Sequence, residues 1–211
     1  AELTRVVSHI WSMGFLLNDL GAYFTPMLYV LQEREIILDL FEMVSGSRMM
    51  CNYFRFGGVA FDIPEEFFPT AQHLIKERLP RMIDELDYYL TTNEIVMERT
   101  QKIGILSKED AIAYSTSGPI LRASGVPYDV RKAHPYSIYD RFDFKVVTQD
   151  AGDVYARYLV RLGEIYESLK ILKQAIDIVP GGEFCNKKQC NLRVPAGEFY
   201  AYKVELVPDL G

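Results

Sequence analysis

The chain has 211 residues, 49% of them apolar and 25% charged, a composition that excludes disordered, collagen-like and low-complexity classes. Acidic side chains number 29 against 23 basic ones, a formal charge of -6, which argues against affinity won by neutralising phosphates and so against nucleic acid as partner. Three cysteines, Cys51, Cys185 and Cys190, include no CxxC pair and read as a reducing compartment, not a disulfide framework. No stretch of 18 apolar residues is present to cross a bilayer as a helix. The chain opens on Ala1 with helical spacing already running by Leu3, which is the expected look of a piece of a longer protein.

From Leu3 the apolar positions Val6, Val7, Ile10, Trp11, Met13, Leu17 and Leu20 recur three and four residues apart, which predicts a buried helix ending at Gly21. A second helix is expected from Thr25 as cap, with Pro26 in the first turn, through Leu28, Leu31, Ile37, Leu38, Phe41 and Val44 to Gly46. Residues 49–64 lack a clean period and carry Gly57, Gly58 and Pro64, so an irregular, partly buried connection is expected. A third helix spans about Thr70 to Leu90, and Pro80 should bend it or divide it in two. Ser107 and Asp110 have capping-box spacing ahead of a short helix from Lys108 to Tyr114.

Residues 117–148 collect Gly118, Pro119, Gly125, Pro127 and His134-Pro135 and read mostly as loop, long enough to point to function. A fourth long helix is expected from about Gly152 to Ile178, stopped by Pro180-Gly181-Gly182. The period then changes to two, where Tyr200, Tyr202, Val204 and Leu206 alternate with polar or small residues in a strand that needs a pairing partner. The expected organisation is a helical core over 1–182, with a charged aromatic loop region at 117–148, and the start of a β region over 183–211.

Asp19 stands out among the ionisable residues because it closes the most apolar helix. It must find a hydrogen-bond partner, titrate higher than usual, or meet water at a frayed helix end. His9 is expected in the core, bonded to a backbone carbonyl. Cys185 and Cys190 are the only close thiol pair, and His9, His73 and His134 are scattered, so no protein-borne metal or iron–sulfur site is expected. Hydrolase, kinase and dinucleotide motifs (GxSxG, P-loop, GxGxxG) are absent.

Charge is densest where Arg122, Asp129, Arg131, Lys132, Asp140, Arg141 and Asp143 alternate with Tyr128, Tyr136, Tyr139, Phe142 and Phe144. Such a pattern fits a buried ion-pair network, a docking surface for a partner, or a solvated loop. Arg157, Arg161 and Glu164 share one face of the fourth helix.

The strings SHIWSMGFLLNDLGAYFTP, EREIILDLFEMVSGSRMMCNYFRFGGVAFDIP, SGPILRASGVPYDVRK, PYSIYDRFDF and GDVYARYLVRLGEIYESLKI together resemble the D subunit of complex I, the hydrogenase-like quinone-binding chain of NADH:quinone oxidoreductase. That family has relatives in photosynthetic ferredoxin-dependent complexes and membrane-bound nickel–iron hydrogenases. The resemblance runs nearly to Gly182; PAGEFYAYKVELV then resembles the start of the family's C-terminal strand region, and VPDLG departs from it.

The resemblance implies a mainly α fold, a long-helix bundle like the nickel–iron hydrogenase large subunit with a short β segment at its C-terminal end. It implies a peripheral place against the membrane, on the cytoplasmic face of an inner membrane or the matrix or stromal side in an organelle. The implied partners are the subunit carrying the terminal iron–sulfur cluster, with which the quinone pocket is shared, and a membrane-arm subunit. NAD is used elsewhere in such a complex, quinone is the substrate, and no cofactor is bound by this chain alone.

By resemblance Asp19, in NDLGA, is the aspartate that partners a quinone-contacting histidine, and it would serve as a proton relay. That histidine and a quinone-contacting tyrosine belong to a family region before Ala1. RMMCNYFR resembles the segment facing the terminal cluster, which marks Arg48, Met50, Cys51 and Arg55. Arg48 and Arg55 are the candidate cations favouring the reduced form. Some members carry histidine where Met50 or Cys51 stands, so a proton-coupled role at that spot is not carried over. Arg122, Asp129, Arg131, Asp140, Asp143, Arg157 and Arg161 are the expected ion-pair or partner-docking set. Two alternatives stand beside this reading: a non-catalytic helical scaffold, and a hydrogenase relative, whose nickel-binding CxxC pairs this chain lacks.

Overall fold

The computed structural model describes residues 1–22, 25–186 and Gly197. Helix α1 (Glu2–Leu17) lies at the centre because it is buried on two faces. Val6, Ile10, Met13 and Leu17, at three and four residue steps, form the apolar stripe of the main core. Glu2, Arg5 and His9 are buried as well, on a polar stripe of similar spacing. Helix α2 (Thr25–Ser45) lies against α1 and contributes Val30, Ile37 and Leu40 to the core. Gly14 sets how closely the two helices approach: a Cβ there would lie 3.1 Å from Met27 Sδ and 3.2 Å from Val30 Cγ2. Between the two helices, α1 closes in a π turn, Asn18–Ala22, where Gly21 takes φ +93°.

Past Gly46, the connection holds a minimal antiparallel hairpin, β1 (Phe54–Arg55) and β2 (Gly58–Val59), with Phe54 opposite Val59. Cys185 bridges to Gly58 on the other side of β2, and Asn186 N–H donates to Gly57 O at 2.9 Å. The strand expected at Tyr200 to Leu206, together with Cys190, lies outside the described residues.

The third predicted helix is one helical run with its ladder twice widened: α3 (Phe67–His73), a π turn (Leu74–Arg78), α4 (Leu79–Leu86) and a second π turn (Asp87–Thr91). Pro80 explains the first widening. The preceding π turn ends with Leu79 N–H donating to Leu74 O, so proline, which has no N–H, falls in the first turn of α4. Helix α5 (Glu94–Thr100) follows, capped by the Asn93 side chain, which accepts from the Ile95 and Val96 N–H groups. Ser107 caps α6 (Lys108–Ala113) through the Asp110 N–H.

The stretch expected to be mostly loop contains helical pieces: α7 (Gly118–Ala123), α8 (Val130–Ala133) and a 3-10 turn (Tyr139–Arg141). Pro119 fits the first turn of α7 and the Asp129 carboxylate caps α8, so residues that look like breakers act as starters. Helix α9 (Val154–Ile178), capped by Asp153, completes the bundle against α1 and α7 and adds Tyr158, Leu162, Ile165 and Leu169 to the core. No helix among the described residues is long and apolar enough to cross a membrane.

Candidate functional site

The predicted charged loop turns inward. Arg122, Asp129 and Arg131 are buried, and their partners come from α1 and α9. The Arg131 guanidinium donates to both Glu2 oxygens at 3.1 Å and to Asp129 Oδ2 at 2.6 Å, and the Tyr139 hydroxyl donates to Glu2 Oε1. The Phe144 ring lies 4.7 Å from that guanidinium carbon. Arg122 Nε donates to Glu164 Oε1, while His9 Nε2 meets Glu164 Oε2 at 2.7 Å. Arg5 stands between the two halves, 3.8 Å from Glu2 and 3.9 Å from Glu164. Three carboxylates, Glu2, Asp129 and Glu164, thus face three guanidiniums, Arg5, Arg122 and Arg131, with Arg161 on α9 within electrostatic reach of Glu164 and His9.

Burial alone would raise the carboxyl groups, but their cationic neighbours outweigh it. Glu164 is brought down to about 2 by the His9 bond and the Arg122 charge. Glu2 is lowered by Arg131 and Arg5 against its burial, and Asp129 by Arg131 against its own. His9 moves below its ordinary value because burial disfavours the imidazolium more than Glu164 favours it. In place of the backbone carbonyl expected for His9, a carboxylate from α9 is its partner.

Asp140 and Asp143 of the loop do not join this network, and Arg157 and Arg161 stand on α9. Asp140 is exposed, and Asp143, also exposed, holds Lys170 at 2.7 Å. Arg157 is half-buried and donates to Gly152 O at 2.9 Å; Arg161 donates to Arg157 O at 3.2 Å. Burial lowers Arg161 from its usual range.

The segment expected to face a cluster is spread over two grooves. Arg48 and Cys51 line an apolar groove of about 450 Å³ with Val7, Leu38, Phe41 and Phe54, and Arg55 lines a second with Phe61 and Phe184. Met50 is 85% exposed. Arg48 is surrounded by Glu35, Asp39 and Glu42 from α2, so its field is more than cancelled. Arg55 is exposed and has no ion pair among the described residues. The Cys51 thiol donates to Ser47 O at 3.5 Å.

Asp19, in the π turn that closes α1, is exposed and has no hydrogen bond or ion pair among the described residues. A carboxylate held amid apolar side chains within this chain is therefore not what forms. The apolar stripe of α1 turns Leu17 into the core, and Asp19, two residues on, falls on the outward side. Arg99 from α5 donates to Leu20 O at 2.6 Å beside it, and Ala22 begins a groove of about 470 Å³ running along Tyr29 and Tyr89.

The family model for the 49 kDa subunit of respiratory-chain NADH dehydrogenase matches residues 19–207. The chain belongs to that family. It is 50% identical to the first of the numbered NADH-quinone oxidoreductase D subunits of Roseiflexus sp. strain RS-1, over 95% of this chain and 55% of that protein. The second such D subunit of Herpetosiphon aurantiacus is 52% identical over the same shares. The H subunit of the chloroplastic NAD(P)H-quinone oxidoreductase of Physcomitrium patens is 47% identical over 88% of this chain and 47% of its own length. The chain spans about half the length of the curated relatives it matches.

Within this member of the 49 kDa family, the described residues contain no group of three metal-ligating side chains. Of the network's members, Glu2 and Arg5 are not singled out by the sequence, and His9, Tyr139 and Glu164 are, though not as partners of the loop's charges. A signal for three of them exists, since Glu2, Arg5 and His9 recur at helical spacing on a face of α1 other than its apolar stripe.

Proposed function

We propose that the chain is part of the quinone-reducing module of an NADH- or ferredoxin-driven quinone oxidoreductase. It forms one wall of the quinone headgroup pocket, beside the terminal iron–sulfur cluster of a neighbouring subunit. The observation that carries this reading is the identity of about half of all aligned positions, over 95% of the chain, with subunits named for NADH–quinone oxidoreduction. The bundle is read as hydrogenase-like, and the location as peripheral, on the cytoplasmic face of an inner membrane or its organellar equivalent. The helical architecture agrees with the first, and the subunit names of the relatives support the second.

In this reading the pocket closes where Asp19 meets the outside. Reduction of a quinone by two electrons makes its oxygens basic and consumes two protons. Electrons arrive from the neighbouring subunit; Asp19, acting through an imidazole supplied from outside these residues, helps deliver one of the protons. A carboxylate in the π turn, with no partner among the described residues, is free to orient such a partner. Well-placed general acid–base groups contribute about 100- to 10,000-fold. Arg55 is the cation offered toward the cluster face; Arg48 is neutralised by the carboxylates of α2.

The outward position of Asp19 also favours a second reading, a scaffold without chemistry. Asp19→Asn in the full-length protein separates them. Quinone reduction falls at least about tenfold with assembly intact if Asp19 relays protons; unchanged turnover supports the scaffold.

A further inference from the structure

We propose that the end of the bundle around Tyr29 and Tyr89 docks an arginine- or lysine-bearing segment of a partner protein. This rests on the reading of the chain as one subunit of an assembly, and adds to it a surface and the chemistry of what covers it. Three elements meet there: the π turn after α1, helix α5, and the π turn Asp87–Thr91. The two π turns, the start of α2, the end of α4 and the Asn93 cap of α5 line the groove of about 470 Å³, whose walls include Pro26, Tyr29, Glu85, Leu86, Tyr89 and Leu90. Around it, large apolar side chains face outward: Leu28 is 61% exposed, Tyr88 76%, Tyr89 68% and Ile95 61%. Tyr88 and Tyr89 pack edge to face, 5.0 Å between centroids, which leaves aromatic surface open to a partner.

Charge selects the occupant. Of the carboxylates in residues 18–30 and 81–100, Asp84 accepts from the Tyr166 hydroxyl and Asp87 lies near the tyrosines of α9, which leaves Asp19, Glu85, Glu94 and Glu98 against two guanidiniums, Arg81, paired with Glu85, and Arg99, held by Leu20 O. Glu85 is paired only with Arg81 on the exposed face of the same helix, a contact that an incoming guanidinium can replace. Tyrosine faces inside an acidic rim suit a guanidinium or ammonium, which gains both cation–π and charge pairing. The same rim repels anionic headgroups, which argues against a lipid surface.

The test places a benzoylphenylalanine photocrosslinker at Tyr89 of the full-length protein in the intact complex and maps the product by mass spectrometry. We expect one partner peptide, with an arginine or lysine close to the crosslinked position. Glu85→Lys with Glu94→Lys should cut that yield at least tenfold, and Glu85→Gln with Glu94→Gln should cut it less. Circular dichroism verifies that each variant retains its helices, and the crosslinker at Ala113 serves as a control site. A crosslink to lipid, to a peptide without basic residues, or one unaffected by charge reversal would overturn the proposal. An assembled complex with no Tyr89 product sinks the groove alone, whereas a chain that enters no oxidoreductase complex sinks the subunit reading with it.

Discussion

Glu164 is the residue on which the buried network turns, since it receives both His9 and Arg122. Removing one member of a buried ion pair strands the other charge, which costs about 3–5 kcal/mol. Glu164→Ala should therefore lower unfolding stability by about that amount, read as a shift in the denaturant midpoint by Trp11 fluorescence. His9 gives the network a pH dependence with a definite sign. Its folded value is depressed below the ordinary 6.5, so the unfolded chain takes up a proton first and stability falls as pH drops below that value. The carboxyl groups are depressed too; Glu164, at about 2, contributes stability that is full above the ordinary 4.5 and is lost between there and about 2. Unfolding measured across pH should show two descending stages, and His9→Gln should remove the upper one and, because the His9 bond helps hold Glu164 down, move the lower one toward higher pH.

At the scale of elements, the α1–α2 crossing depends on Gly14, where even a methyl group meets Met27 and Val30 at close range. Gly14→Val should destabilise by about 1–3 kcal/mol through overpacking, seen as a lower thermal midpoint with helix content retained below it. Periodicity makes α1, α2 and α9 readable because each buries an apolar stripe, and Ser107 announces α6 through a local hydrogen bond. Pro80 announces a break in the third helix but not its form as a π turn, and nothing local announces the second π turn at Asp87–Thr91. Helices α7 and α8 are hidden because proline and aspartate, which look like interruptions, stand at positions where they begin helices. Arg122, Asp129 and Arg131 are legible as charges interleaved with aromatics. Their partners are not: Arg131 meets Glu2 across 129 positions and Arg122 meets Glu164 across 42, and no local pattern encodes such distant pairing.

Taken whole, the molecule separates a paired ionic interior, which fastens residues 122–139 to α1 and α9, from an acidic, aromatic end that opens outward near Asp19. Arg122 and Arg131 of the charged aromatic loop are spent internally, while Arg141 stays exposed, and among the described residues the hairpin and the Asp19 end are two surfaces open to partners. The central claim is that this end meets a quinone. A photoreactive quinone analogue irradiated in the intact full-length complex tests it most directly, with the labelled peptides identified by mass spectrometry. The account predicts label on the peptide containing Asn18–Ala22, abolished by excess unmodified quinone; label elsewhere in the complex, with that peptide untouched, would contradict it.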